Sequence, residues 1–504
     1  MTTFCIGILA LAAMHGSVGI VPLIGLGQAQ VVCTGGMSIV EPPLQIGTRK
    51  QLLVDDYIIA QSSNVTRELG QATKANGGQP LIVADRPWEN ADLFRLGSVI
   101  HDGGRFRMWY QMNDTLFGYA ESEDGLQWTK PNLGFYDYEG SRDNNIVDAR
   151  GFTCLPDAHE TDPAHKYKSA YGTDAVMAAL AHSPDGFAWT PYNNGNPVTG
   201  RAADTINQIL WDEEARVYRL YTRTDFGPGG GPGEIRGTRD MTNPDPKDKP
   251  ANWTTVRNWR FDREGEEEWK RRQVYALNGW LYEGVHFGLL WCYEWPADLS
   301  EGGYDTHTRH ERDIMNFYIL TCRGDEMWDL TWVYAGKPLI ARGPSGSFDK
   351  DWVQPSLNIV TWQDQHWIYY SGARERHNVY LIREGQTRWQ CSIGLATLRL
   401  DGFVFLEAKD TPGTVLTRAF VPEGDELEIN ADASTGSIRV EILDVAGQPV
   451  PGCAAVDCDP IVTDSVRHVV TWKGRRRLEG LPSSGVRLRF HMTRAKLYSF
   501  RMKV

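Results

Sequence analysis

The residues of this 504-residue chain best suited to chemistry are carboxylates set beside aromatic side chains at the ends of strand-like runs. Glu283 stands in Tyr282-Glu283-Gly284, with Trp280 close before it. An aromatic wall withdraws water from a carboxyl group and raises its pKa, which suits a proton donor. Asp204 precedes the apolar run Ile206–Leu210, Glu89 follows Trp88, and Asp56 lies in Leu52-Leu53-Val54-Asp55-Asp56-Tyr57. A carboxylic acid and a carboxylate on either side of one bond supply a proton for the leaving group and a base or nucleophile for attack. The expected roles are Glu283 as general acid, Asp204 as base or pKa-setting partner, and Glu89 or Asp56 as third member. The plain alternative for each is a carboxylate that caps a turn or pairs with an arginine. Asp55, Asp92, Arg223, Tyr282, Arg374 and His377 stand near these positions and are expected to bind substrate, the cations by orienting hydroxyls or holding a carboxylate.

Residues so distant in the chain meet only if the fold brings them together. An internal repeat shows how. Ser122-Glu123-Asp124-Gly125-Leu126-Gln127-Trp128 returns 61 residues later as Ser183-Pro184-Asp185-Gly186-Phe187-Ala188-Trp189. Weaker echoes follow at Thr238-Arg239-Asp240 with Trp253, at Cys322–Trp328 and at Leu398–Phe403. Before each copy lies an aromatic, β-rich run: Arg107–Tyr110, Tyr167–Tyr171, Tyr218–Tyr221, Gly288–Tyr293 and Trp367–Tyr370. Asp-Gly is a hairpin-turn pair, because a type I′ turn needs positive φ at both central positions. Helical periodicity is nearly absent. A unit of this length with about four strands is a propeller blade in size. The expected fold is all-β: a five-bladed β-propeller over 45–408, then a C-terminal β-sandwich over 409–504. The run Gln51–Ile59 is expected to complete the first blade. The Gly/Pro/Asp-rich stretch 225–252 is expected to be a long loop. After about residue 410, Glu426–Ala433, Ser437–Leu443 and Val486–Met492 alternate apolar and polar residues, the pattern of half-exposed antiparallel strands.

In a propeller, side chains converge where each innermost strand begins beside the central channel. That filter yields the acids named above. The formal net charge of -12 opposes binding to a phosphate backbone, so no nucleic-acid partner is expected. The 18 Trp, 20 Tyr and 17 Phe serve either β-sheet cores or platforms for sugar rings. No Cys-x-x-Cys pair occurs. His307 and His310 have His-x-x-His spacing but sit among Arg309 and Arg312, so no metal and no cofactor is expected. Cys453 and Cys458 could close a small loop; most other cysteines read as buried thiols. The apolar run Phe4–Met14, followed by small residues up to Ala29, reads as a signal peptide over 1–29, with an uncleaved anchor as the alternative and a secreted or periplasmic location expected.

The stretches Leu52–Tyr57 and Arg107–Tyr110, the two Ser-x-Asp-Gly-x-x-Trp motifs, Ile393–Phe403 and Ala495–Phe500 carry a resemblance. In them the chain resembles bacterial secreted proteins related to glycoside hydrolase families 32 and 43, which are five-bladed propellers. The resemblance implies a glycoside hydrolase with a carbohydrate substrate. The Trp-Met-Asn-Asp-Pro, Arg-Asp-Pro and Glu-Cys motifs of the invertase-type enzymes are absent, so their residue roles do not carry over. Two other readings use the same cleft: a non-catalytic carbohydrate-binding propeller, and a sialidase-like hydrolase. The repeated turn is similar to the Asp-box of sialidases, which need an Arg triad; Arg223, Arg323 and Arg374 are the nominees.

Overall fold

The computed structural model describes residues 42–227, 233–263, 265, 272–295, 313–376 and 389–504. The leader, His307, His310 and His377 lie outside the described residues.

Strands dominate. Among the described residues they form three sheets of four strands, one of eight and two of six. The four-stranded sheets are antiparallel meanders, each strand pairing with the next in sequence. The first is Arg95–Asp102, Arg105–Gln111, Phe117–Ser122 and Ile146–Val147. The second runs from Leu155–Pro156 through Tyr167–Gly172 and Ala178–Ser183 to Thr190–Pro191. The third is Gln208–Asp212, Val217–Asp225, Arg236–Asn243 and Thr254–Arg260. The eight-stranded sheet is two meanders joined by a single parallel pairing, Met315 with Trp352. Its first half is Gln273–Tyr282, Val285–Glu294 and Ile314–Cys322; its second contains Trp352–Pro355, Gln365–Ala373 and Ser392–Arg399. These meanders have the form of propeller blades. Val285–Glu294 and Ile314–Cys322 are buried at every position, so neither shows the in-and-out alternation of a half-exposed strand.

The repeated turn has one geometry in both copies. Ser122 Oγ donates to Asp124 Oδ1 (3.0 Å) and accepts from Gly125 N (2.8 Å). Asp124 Oδ1 accepts from Leu126 N and Gln127 N, both at 2.8 Å. Trp128 Nε1 donates to the Gly125 carbonyl (3.0 Å). Ser183, Asp185, Gly186 and Trp189 repeat every one of these bonds. The two glycines, at φ +74° and +87°, occupy the left-handed region. Each turn also latches onto the preceding meander. Trp109 Nε1 donates to the Gly186 carbonyl (3.1 Å), and Tyr369 Oη, from the last meander, donates to the Gly125 carbonyl (2.8 Å). The last meander therefore docks on the first. Leu96 N donates to Ser371 Oγ (2.7 Å), Leu357 N to the Gly97 carbonyl (2.7 Å) and Asn358 Nδ2 to the Val99 carbonyl (2.7 Å).

Several expectations are corrected. Gln51–Ile59 does not complete the first meander. Asp55 breaks the run: it accepts from Tyr57 N (3.0 Å) and holds Arg323. Gln51–Leu52 then pairs with Ala495–Lys503, and Ile59–Ser63 with Gly413–Thr417. The N-terminal strand that does join the meanders is Thr73–Lys74, which pairs with Ser392–Arg399. Within 225–252, Arg236–Asn243 is a strand, and the Thr238–Asp240 echo lies inside it rather than at a turn. Cys453 and Cys458 are both buried free thiols; Cys458 Sγ accepts from Val440 N (3.2 Å).

The two six-stranded sheets are built from strands before residue 70 and after residue 403. They share one apolar core, in which Leu427, Ile429 and Phe500 of one sheet meet Val440, Leu488 and Phe490 of the other. A buried polar hub ties them to the meanders. Asp401 accepts from Lys50 Nζ (3.0 Å), Tyr282 Oη (2.6 Å), Asn430 Nδ2 (3.2 Å) and Ser499 Oγ (2.7 Å). Its backbone N–H donates to His366 Nε2 (3.1 Å), which fixes His366 as a neutral ring with its proton on Nδ1, facing Thr361 Oγ1.

Two tests follow from this architecture. A Cβ at Gly125 would sit 2.6 Å from Tyr369 Oη and one at Gly186 would sit 2.7 Å from Trp109, whereas Gly134, also left-handed, faces open space. Gly125→Ala and Gly186→Ala are expected to cost about 2 kcal/mol or more, and Gly134→Ala about 1, read from urea midpoints. Burial pushes the His366 imidazole down to about 4 from an ordinary 6.5. The unfolded chain therefore takes up this proton first, so the stability His366 contributes is intact above about pH 6.5 and is lost as pH falls toward 4. Wild type should lose roughly 2 kcal/mol more than His366→Asn between pH 7 and 5.

Candidate functional site

A cavity of about 420 Å³ is lined by Arg95, Gln111 and Phe117 of the first meander, Phe152, Thr153 and Tyr171 of the second, Asp204 and Thr205 before the third, and Trp291 and Gln354 from the two halves of the eight-stranded sheet. All five meanders reach it. Arg95 and Gln354 belong to the first strands of their meanders, and Phe152, Thr153, Asp204, Thr205 and Ile206 lie just ahead of theirs. A second hollow of about 810 Å³ is lined by Ile100, Pro156, Leu210, Leu281 and Val360, again from all five meanders.

Three aspartates border the smaller cavity: Asp114, Asp174 and Asp204. Asp204 sits just ahead of the first strand of the third meander. The chain is turned there at Ala202, at φ +79°. Arg223, only 5% exposed, fixes this segment: its Nε donates to the Ala202 carbonyl (3.0 Å) and its Nη2 pairs with the Asp204 carboxylate. Burial, and then the neighbouring Arg236, push the Arg223 pKa down, but guanidinium remains charged at any working pH. A carboxylate held in place by a fixed cation is positioned to act as a base or nucleophile. The Thr205 hydroxyl donates to the Tyr275 carbonyl, so Asp204 also abuts the start of Gln273–Tyr282.

Asp114 and Asp174 come from turns between second and third strands. Asn113 Oδ1 accepts from Thr115 N (2.8 Å) and Leu116 N (2.7 Å), an Asx turn that leaves Asp114 exposed at its tip. Thr173 N and Oγ1 both donate to the Met177 carbonyl, at 2.8 and 3.1 Å, and Asp174 projects from that turn. Asp174 makes no hydrogen bond or ion pair among the described residues. The walls are aromatic. Phe117 and Phe152 meet edge to face at 5.3 Å, and a Cβ at Gly97 would overlap the Phe152 carbonyl, so glycine is needed for the first two meanders to approach. The cavity therefore combines three carboxylates, one of them, Asp204, clamped by Arg223, with apolar faces. No group of three metal-ligating side chains occurs among the described residues.

Of the sequence-predicted residues, Asp204 lines this cavity; Arg223 does not, and it is buried holding Asp204 rather than standing free for substrate. Glu283 does not line it either. It forms the Glu283-Gly284 hairpin tip (φ +50° and +75°), accepts from Lys50 N (3.1 Å) and faces a separate hollow with Arg49, Glu214 and Arg323. From Tyr275 to Glu283 the strand spans eight residues, roughly 26 Å, so Glu283 and Asp204 cannot flank one bond. The expectation took Val285–Glu294 as the innermost strand, whereas Gln273–Tyr282 comes first in that meander and pairs with it. Tyr282 serves the Asp401 hub. Glu89 is sealed in by Tyr110 Oη (2.8 Å), Lys130 Nζ (2.7 Å) and the backbone N–H groups of Asp85 and Arg86. Asp56 pairs with Arg67 on the surface (2.5 Å). Asp55 is a bidentate partner of Arg323 at 2.7 and 3.1 Å. Asp92 lies in the short turn Ala91–Leu93, outside the cavity lining, and Arg374 is exposed just past Gln365–Ala373. Arg223 is buried against Asp204, while Arg323 pairs with Asp55 and lines the hollow at Glu283, so the nominated Arg triad does not assemble.

Asp114 and Asp174 were missed, yet the repeat marks them. Asp114 stands eight residues before Ser122, and Asp174 nine before Ser183. In a meander, the turn from second to third strand lies at the same end as the start of the first strand, so the filter should have included it.

No protein-family model and no curated protein sequence matches the chain. Solved structures that align with it include the α-L-arabinofuranosidase of Podospora anserina in complex with cellotriose (12% identity, TM-score 0.40, 66% of this chain and 97% of that one). A glycosyl hydrolase from Bacteroides ovatus aligns at 14% identity and TM-score 0.39, over 66% of this chain and 94% of that one. An N-acetylgalactosamine deacetylase from F. plautii, in complex with blood group B trisaccharide, aligns at 13% identity and TM-score 0.42, over 66% and 96%. Likenesses this distant decide nothing about chemistry, which rests on the cavity itself.

Proposed function

We propose that the chain is a glycoside hydrolase acting on a poly- or oligosaccharide in this cavity. In this reading the meanders, 70–403, form a five-bladed β-propeller around a common axis. The strands of 44–69 and 404–503 form a β-sandwich beside it. The observation that carries the reading is the set of three aspartates from successive meanders around one aromatic-walled hollow. Sugars bury their C–H faces on rings while carboxylates act on the acetal oxygen. Asp204, held by its Arg223 clamp, is the base or nucleophile. Asp174, unclamped, is the proton donor to the leaving oxygen, and Asp114 binds a hydroxyl beside it. A polymeric substrate suits an exported protein, in keeping with the leader read at 1–29. No helix among the described residues is long and apolar enough to cross a membrane.

The test is a panel of polysaccharides and aryl glycosides assayed with wild type, Asp204→Asn, Asp174→Asn and Glu283→Gln. Hydrolysis by wild type should fall roughly 100-fold or more in kcat for Asp204→Asn and at least 10-fold for Asp174→Asn, with Glu283→Gln within about twofold. Full activity in Asp204→Asn would remove it from the mechanism. Binding without turnover by wild type would favour the carbohydrate-binding alternative.

A further inference from the structure

Two buried polar groups of the cavity are left without partners. Gln354, 1% exposed, spends its Nε2 on the Leu96 carbonyl (3.1 Å), but its Oε1 has no partner among the described residues. Trp291, also 1% exposed, has an indole N–H with none. Its ring is held by Tyr275 (4.7 Å) and Trp352 (5.6 Å), so it does not swing freely. Both residues line the cavity. A buried acceptor and a buried donor left unpaired each cost about 1–3 kcal/mol, so native structures rarely leave them so without a reason.

We infer that Gln354 and Trp291 form the specificity floor of the cavity and read a hydroxyl group of the sugar seated there. This deepens the glycoside hydrolase reading and rests on it. A hydroxyl is the group that fits, because it can donate to Gln354 Oε1 and accept from Trp291 Nε1. Neither residue is charged, so the floor favours a neutral sugar over a uronate. A carboxylate could accept from the indole, but it would set its charge against the Gln354 oxygen. The Gln354 amide cannot turn to help without giving up its bond to Leu96. The discrimination resembles that of any site built around hydrogen bonds: an analogue lacking the hydroxyl leaves the protein groups unsatisfied and is rejected more strongly than its lost contact alone would suggest.

The experiment titrates the full chain with glucose, galactose, mannose, xylose, arabinose and N-acetylglucosamine, then with the monodeoxy analogues of whichever sugar binds, by calorimetry. Wild type should bind one deoxy analogue about tenfold or more weakly than its parent. Gln354→Leu, Trp291→Phe and the double variant should bind the parent more weakly and lose that discrimination, with unchanged circular dichroism. In turnover the loss should appear in KM more than in kcat. Variants that still discriminate as wild type does would overturn the inference while leaving the hydrolase reading in place. Discrimination that behaves as expected alongside undiminished turnover in Asp204→Asn would do the reverse. Failure of every sugar to bind wild type would overturn the inference, while turnover of the polysaccharide panel decides the hydrolase reading separately. Should the double variant fail to fold, the two single variants carry the comparison.

Discussion

The site depends on the docking of the last meander against the first. The contacts are backbone-directed and specific in register. Ser371, Leu357, Asn358 and Gln354 bond to the main chain of Leu96–Val99, and Tyr369 bonds to the turn at Gly125. These bonds join segments more than 240 residues apart in the chain, for example 244 between Tyr369 and Gly125. Contacts so distant in sequence carry a large loop-closure entropy and form only as part of a cooperative whole. Through them Gln354 of the last meander meets Arg95 and Gln111 of the first in one cavity lining.

The same economy explains the repeated turns. In each, the aspartate satisfies local N–H groups, and the glycine carbonyl then serves both the turn's own Trp and an aromatic from the preceding meander. A residue that looks like surface punctuation is thus an intersheet latch. Asp401 does comparable work between the meanders and the outer sheets. Its carboxylate is held below the usual range, against the opposing effect of burial, by Lys50 and by hydrogen bonds from Tyr282 and Ser499. An ionised group this deeply placed survives only because its oxygens are fully bonded.

Much of this was legible in the sequence. The repeat length, the Asp-Gly turns and the aromatic runs predicted β-meanders, and the start-of-strand filter found Asp204. What escaped were assignments that hinge on pairing rather than pattern. Glu283 was misplaced because Gln273–Tyr282 and Val285–Glu294 are both strongly apolar, so nothing in composition says which is innermost. Gln51–Ile59 has the residues of a strand, but its partners lie far along the chain, at Thr417, Ser499 and Phe500. Asp114 and Asp174 were passed over because turn aspartates are common and usually cap their own backbone. Here Asn113 and Thr173 organise the turns, leaving the neighbouring carboxylates to face outward.

The central claim is geometric: carboxylates from different meanders share one opening, and Glu283 is at the other end. Spin labels at cysteines placed at 174 and 204, and at 204 and 283, measure it directly by electron paramagnetic resonance. The account predicts a separation below about 20 Å for the first pair and a distribution centred at least about 25 Å for the second, the span of the intervening strand. Comparable separations for the two pairs, or a longer one between 174 and 204, would contradict it.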